Sequence, residues 1–243
     1  MKASIFNFLV HLLIHRKSGK RYVAPSLPYN TEHGLVRSTG RTESSTGEPF
    51  TVVEPRFVDL WLKLKRGPQW SHPKDLSLVL GLTGLGPGWK VVDAGSGTGF
   101  AASFFAYHVR PNGHVYSYDI RPKNISIARE NAELFGLQDY ISFKEGDVSK
   151  GIDERDVDLV FFDLPEPWTA YKHAADALKL GGFLVLYLPT VDQVTRARDE
   201  LPDCFTPFEV YELVLRRWKS TGPLRPENTG LLHTAFILIS RKV

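Results

Sequence analysis

The sequence has almost no cysteine: Cys204 is the only one in 243 residues. A lone thiol cannot close an intrachain disulfide, and it cannot build a cysteine-rich metal site. Long hydrophobic runs are also missing. The stretch from Ile5 to Ile14 is apolar, but it is far shorter than a membrane span and His11 interrupts it. A signal peptide would need a small-residue cleavage site just beyond. Instead His15-Arg16-Lys17-Ser18-Gly19-Lys20-Arg21 comes next, which suits a charged hairpin turn. There is no internal repeat and no low-complexity tract. These absences point to a cytoplasmic protein without membrane attachment. A hydrophobic fraction of 42% and a charged fraction of 23% are those of a soluble globular chain. The length allows one large α/β domain and a smaller one.

Charge is present but unevenly spread. Residues 1–90 carry 13 Lys/Arg against 6 Asp/Glu, while residues 91–243 carry 17 against 21. A basic module joined to an acidic domain suggests a polyanionic partner held by the first part. Residues 1–65 read as a small β-rich domain. Phe8–Ile14, Arg21–Ala24 and Phe50–Val53 are strand candidates, with Ser38 to Glu48 a loop. From Arg56 the pattern turns helical, with Phe57, Leu60, Trp61 and Leu64 on one face and Lys63, Lys65 and Arg66 around or beyond it. Pro73 biases His72 towards extended backbone, and Asp75 is placed to cap a helix starting at Leu76.

Residues 66–243 then alternate strand (89–93, 115–119, 141–145, 158–163, 183–188) with helix (75–82, 99–109, 122–135, 169–179, 190–200). Such alternation predicts a doubly wound parallel sheet with helices on both faces. Two last strands, 208–215 and 233–241, flank an irregular 216–232 and should pair antiparallel.

The chemistry gathers around Val91-Val92-Asp93-Ala94-Gly95-Ser96-Gly97-Thr98-Gly99: a buried strand, an acid near its end, and glycines at alternate positions before a helix. Glycine there lets backbone approach a ligand, and the amides at the helix start point at it. The spacing is G-x-G-x-G rather than the G-x-G-x-x-G of dinucleotide binders. Asp119 lies about twenty residues on, where doubly wound folds place a ribose-binding acid. Asp147, before Val148, could meet an adenine amino group, although Gly146-Asp147 is also plain turn chemistry. An apolar strand delivers Asp163 to the same edge. Pro165 and Pro167 stiffen the segment after it, so Asp163 is a candidate to orient a nucleophile and take its proton. Trp168 fits either this loop or the core.

The glycine loop is similar to that of S-adenosylmethionine methyltransferases. Five motifs come in one order. They are Gly67-Pro68-Gln69 with His72-Pro73-Lys74-Asp75, the glycine loop, Asp163-Leu164-Pro165-Glu166-Pro167-Trp168, Tyr187-Leu188-Pro189 with Gln193-Val194, and His233-Thr234-Ala235-Phe236. Together they resemble the tRNA (adenine-N1)-methyltransferases that act at T-loop position 58, in the single-subunit archaeal and bacterial form. The likeness runs from about Arg16 to the carboxyl end. It implies a Rossmann-like class I methyltransferase sheet, S-adenosyl-L-methionine as cofactor, tRNA as partner and a homotetramer. It also implies cofactor contacts from Gln69, Asp93, Gly95, Ser96, Gly97, Thr98, Gly99, Asp119, Ile120, Asp147, Val148 and Asp163, with Asp163, Tyr187 and His72 at the target base. No metal is expected, because a sulfonium methyl is already activated. Tyr187 fits a buried strand position equally well.

His72 departs from the tyrosine of many family members, which leaves adenine 57 open as a second target. For tRNA phosphates the candidates are Arg216, Arg217, Lys219, Arg225, Arg16, Lys17, Lys20 and Arg21. Two other readings are a methyltransferase of protein carboxyls or small molecules, and a non-catalytic RNA-binding subunit. The glycine loop with Asp119 and Asp163 argues against the second, and the basic amino-terminal module argues against the first.

Overall fold

Short amphipathic strands dominate the amino-terminal residues, and apolar strands alternating with helices make up the rest. The structure, a computed structural model, describes residues 10–61, 64, 71–219, 222–227 and 233–243. The expected strand start at Phe8 and Leu9, the basic residues Lys63, Lys65 and Arg66, and Gly67-Pro68-Gln69 with its expected cofactor contact lie outside the described residues. The chain forms two compact units, residues 1–65 with 133–136, and residues 66–132 with 137–243.

In the first unit β1 (His11–His15), β2 (Arg21–Ala24), β3 (Tyr29–Thr31), β4 (Gly34–Val36), β5 (Gly40–Glu43) and β6 (Pro49–Val53) precede a short helix, α1 (Phe57–Trp61). A four-stranded antiparallel sheet has the order β2-β1-β6-β5, and β3 and β4 form a separate hairpin. Leu13, Ala24, Val36, Phe50 and Val52 make its core. The expected loop from Ser38 to Glu48 contains β5. Its polar side chains hid a strand that pairs through backbone, with Arg41 opposite Thr51. Much of the basic surface here is internally paired. Lys17 meets Glu48 at 3.0 Å, Lys20 meets Glu32 at 2.6 Å and Arg21 meets Asp59 at 3.2 Å.

The second unit begins with α2 (Pro73–Thr83) and β7 (Lys90–Ala94). It continues with α3 (Phe100–Val109), β8 (His114–Asp119), α4 (Pro122–Leu134), β9 (Ile141–Glu145), β10 (Val157–Phe162), α5 (Tyr171–Ala177) and β11 (Leu178–Leu188). Last come α6 (Val191–Asp199), β12 (Glu209–Glu212), β13 (Trp218–Lys219), β14 (Arg225–Pro226) and β15 (Phe236–Arg241). The seven-stranded sheet runs β12-β15-β11-β10-β7-β8-β9. The strands from β11 to β9 are parallel, whereas β15 lies antiparallel to both β11 and β12. Strand order reverses at β7, so the crevice at its carboxyl end is the switch point where such sheets bind ligands.

β10 is apolar from Leu159 to Phe162 because helices cover both faces of the sheet, and all six of its residues are buried, Asp158 in an ion pair with Lys179. Truncating Phe162 to alanine there would cost about 3–5 kcal/mol. The expected start of α2 needs correcting. His72, extended at φ −72°, ψ 141°, caps the helix by accepting from the Lys74 amide, and Pro73 opens it. Asp75 lies inside the first turn, fully buried. The segment expected to be irregular also holds the small β13–β14 hairpin.

Candidate active site

The end of β7 sets the geometry. Gly95 has φ 90°, and a Cβ there would lie 2.2 Å from the carbonyl oxygen of Asp163, so only glycine fits. The Gly95 and Ser96 amides both donate to Tyr118 O at 2.9 Å, which ties the turn to β8. Asn131 of α4 donates to Thr98 O at 2.8 Å. Gly99, at φ 81°, lies close to Ala128 and opens α3 without a side-chain cap of its own. A helix that starts on glycine leaves its positive end free of a capping oxygen, the arrangement that favours an anion or dipole there.

Beyond this turn lies a cavity of about 340 Å³. It is lined by Gly95, Asp119, Ile120, Asp147, Val148 and Asp163, all expected from sequence, and by Tyr118, Arg121, Ser149, Leu164, Glu166 and Thr169 among others. A smaller space of about 20 Å³ adjoins Ser71, Ser96, Gly97, Thr98 and Asp163. Asp93, Gly99, His72 and Tyr187 line neither space.

Each carboxylate has a distinct set of partners. Asp119 Oδ2 accepts from the Gly97 amide and from Asn124, each at 2.9 Å, and Oδ1 accepts from the Arg121 amide at 2.8 Å and from Arg121 Nε at 3.4 Å. A carboxylate offers about four acceptor sites, and all are engaged here; the long contact from the exposed Arg121 side chain is the one a ligand hydroxyl would displace. Asp147 Oδ1 takes the Ser149 amide at 3.0 Å and its hydroxyl at 2.6 Å, which hold the carboxyl below its usual range. Among the described residues Oδ2 has only Lys150, at 3.8 Å. Asp163 accepts from Ser71 Oγ at 3.0 Å. Burial raises it to about 6, against the lowering effect of that bond.

Asp93 is fully buried below the turn rather than in the cavity. It takes the Ser117 hydroxyl on Oδ2, Ser117 exchanges a bond with Ser96, and Oδ1 has no partner among the described residues. Burial first, then the nearby Asp163 and Asp119, push it up to about 7, partly offset by Ser117. Thr98 Oγ1 is likewise buried without a partner among the described residues.

Tyr187 and His72 sit behind this site, in a buried cluster at the start of α2. The Tyr187 hydroxyl donates to Asp75 Oδ2 at 3.3 Å and receives the His72 amide at 3.4 Å. Burial, then Asp75, raise the phenol above its ordinary value. Lys74 Nζ donates to Asp75, Leu213 O and Thr234 at 2.5, 2.6 and 2.6 Å. Burial lowers the His72 imidazole, so at neutral pH it caps α2 as a neutral ring. Trp168 is half-buried, packed against the core with the Arg196 guanidinium 4.3 Å from its ring centre, and it does not line the cavity. Sequence reasoning missed Ser71, Tyr118, Arg121 and Ser149. Only Ser149 carried a signal, as the residue two after an aspartate in a turn.

Glycine-enforced close approach, spare carboxylate acceptors and a cavity within the ~300–1,000 Å³ of small-molecule sites fit a ligand bearing vicinal hydroxyls and an amino group. The sheet order and this cradle define the fold of the class I, Rossmann-like S-adenosylmethionine-dependent methyltransferases. Among solved structures, a SAM-dependent O-methyltransferase from Thermotoga maritima superposes with a TM-score of 0.87, at 28% identity over 96% of this chain and 92% of that one. The tRNA (m1A58) methyltransferase TrmI from Aquifex aeolicus superposes with a TM-score of 0.82, at 22% identity over 96% of each chain.

Within that class the chain belongs to the family described as tRNA methyltransferase complex GCD14 subunit, whose model matches residues 52–227. Its relatives include the tRNA (adenine(57)-N(1)/adenine(58)-N(1))-methyltransferase TrmI of Methanocaldococcus jannaschii, 31% identical over 96% of this chain and 95% of the relative. A tRNA (adenine(58)-N(1))-methyltransferase TrmI of Thermus thermophilus is 35% identical over 84% of this chain and 81% of the relative.

Proposed function

We propose that this protein transfers a methyl group from S-adenosyl-L-methionine to N1 of adenine 58 in the T-loop of tRNA. The observation that carries the reading is Asp163, a half-buried carboxylate lining the same cavity as Asp119 and Asp147, in a chain of the GCD14 family. When bound, S-adenosylmethionine supplies a sulfonium-activated methyl group. Asp119 Oδ1, once the Arg121 side chain swings away, would accept from the ribose hydroxyls, and Asp147 Oδ2 from the adenine amine of that cofactor. The Gly95–Gly99 turn would hold its amino-acid end, and Asp93 steadies the turn through Ser117 and Ser96. Ile120 and Val148 give apolar walls.

Asp163 accepts a hydrogen bond from the exocyclic amine of the target adenine and so stabilises positive charge as it develops on the ring. This role needs the ionised carboxylate. Tyr187 and His72 support the base side of the site from the buried cluster. Gln69 is assigned to the cofactor on the family likeness alone. We place the protein in the cytoplasm as a homotetramer; no helix among the described residues is long and apolar enough to cross a membrane. The test is mass mapping of methylated nucleosides in unmodified tRNA incubated with the protein and S-adenosylmethionine. The expected product is 1-methyladenosine at position 58, and Asp163→Ala should cut its rate about 100-fold or more. Labelling of a protein or small molecule in place of tRNA would sink the reading.

A further inference from the structure

Ser71 is buried at 4% exposure. The one side-chain hydrogen bond it makes among the described residues runs to Asp163, 92 positions away in the chain. The main chain of Asp163 is fixed independently. Its amide donates to Ala94 O at 2.9 Å, its carbonyl is packed onto Gly95, and Pro165 and Pro167 come just after. Rotation of the side chain is left to be set, and Ser71 Oγ on Oδ2 sets it. Oδ1 makes no hydrogen bond among the described residues, so its acceptor capacity is left for a donor in the cavity that Asp163 lines. Ser71 is itself held from behind. The next amide, of His72, is tied to Tyr187, and Lys74 anchors the first turn of α2 on Asp75, Thr234 and Leu213 O.

We propose that Ser71 is the positioning residue for Asp163, holding one carboxylate oxygen so that the other faces the amine of the target base. The role assigned to Asp163 rests on the functional reading above; the Ser71 link does not. The titratable groups around Asp163 are Asp93 from β7, Asp119 and Arg121 from the end of β8, Asp147 after β9, Tyr187 from β11, and Glu166 in its own loop. Burial is what opposes ionisation of Asp163. Ser71 is the group that donates to the carboxylate directly, and its bond favours the ionised form.

The test uses the full chain with Ser71→Ala and Ser71→Thr. A carbon-detected NMR titration follows the Asp163 carboxyl in the protein alone, and the pH–rate profile is measured with tRNA at saturating S-adenosylmethionine. In Ser71→Ala the proton affinity of Asp163 should rise about tenfold. The acid limb of kcat should then move to higher pH by the same factor, with KM for S-adenosylmethionine unchanged. Ser71→Thr, which keeps the hydroxyl, should titrate near the wild type. A carboxyl midpoint unmoved in Ser71→Ala overturns the proposal. If the wild type methylates no tRNA, the functional reading fails, while the titration still decides the Ser71 link.

Discussion

Two residues of the β7 turn show how side chain and backbone divide the work. Gly95→Ala would place a methyl group on a carbonyl carbon and oxygen that cannot retreat, at a φ that L-residues avoid. The expected outcome is loss of S-adenosylmethionine binding by calorimetry, with a stability cost of about 2 kcal/mol or more. Asp93 gives a pH signature. Its carboxyl is raised from 3.8 to about 7 in the fold, so between those values the folded chain binds more protons than the unfolded one. Its contribution to stability is full below about pH 4 and is lost as pH rises through about 7. Asp93→Asn keeps the acceptor for Ser117 and removes the charge. Urea melts at pH 8 should therefore find it more stable than the wild type by at least about 1 kcal/mol, and the difference should vanish near pH 4. The glycines were legible in the sequence, because G-x-G-x-G spacing states a backbone constraint locally, whereas Asp93, expected at the cofactor, lies buried below the turn. Ser71 was not legible, since a serine acquires its role only from a partner 92 residues on.

At the scale of elements, α2 is the informative case. Asp75 is fully buried and Lys74 nearly so, and together they join the helix start to β11 through Tyr187 and to the ends of β12 and β15 through Leu213 and Thr234. Asp75→Ala would strand the Lys74 ammonium away from water, and a loss of about 3–5 kcal/mol is expected in denaturant melts. The double variant Lys74→Met, Asp75→Leu should recover a large part of that loss, because the desolvation penalty leaves with both charges. Reading Asp75 as the cap came from its residue type, whereas the Lys-Asp pair is satisfied by groups 139 and 160 residues from Lys74. By contrast, the strands β7, β8 and β9 fell within a residue of their expected bounds, since apolar runs flanked by helical periodicity need no distant information. β5 was lost for the opposite reason: its sequence, Gly-Arg-Thr-Glu, lies at a sheet edge and is exposed but for Thr42.

For the whole molecule, the sequence's charge imbalance promised a polyanion grip, and the structure narrows where that grip can be. Lys17, Lys20 and Arg21 already have carboxylate partners, and Arg217 has Glu227 at 3.7 Å. Arg16, Arg216, Lys219 and Arg225 are exposed and make no ion pair among the described residues. A phosphate contact releases condensed counterions, so each cation engaged adds about 0.7–0.9 to the slope of log affinity against log salt. Replacing Arg16 or Arg216 by alanine should weaken tRNA binding severalfold at low salt and flatten that slope by about one contact. It should leave kcat at saturating tRNA unchanged, because neither residue lines the cavity. Lys20→Ala, whose charge is already spent on Glu32, should do neither. Filter binding of tRNA from about 50 to 200 mM salt measures all three. Equal slopes for Arg16→Ala, Arg216→Ala and Lys20→Ala would move the RNA-binding surface elsewhere while leaving the reading of Asp163 intact.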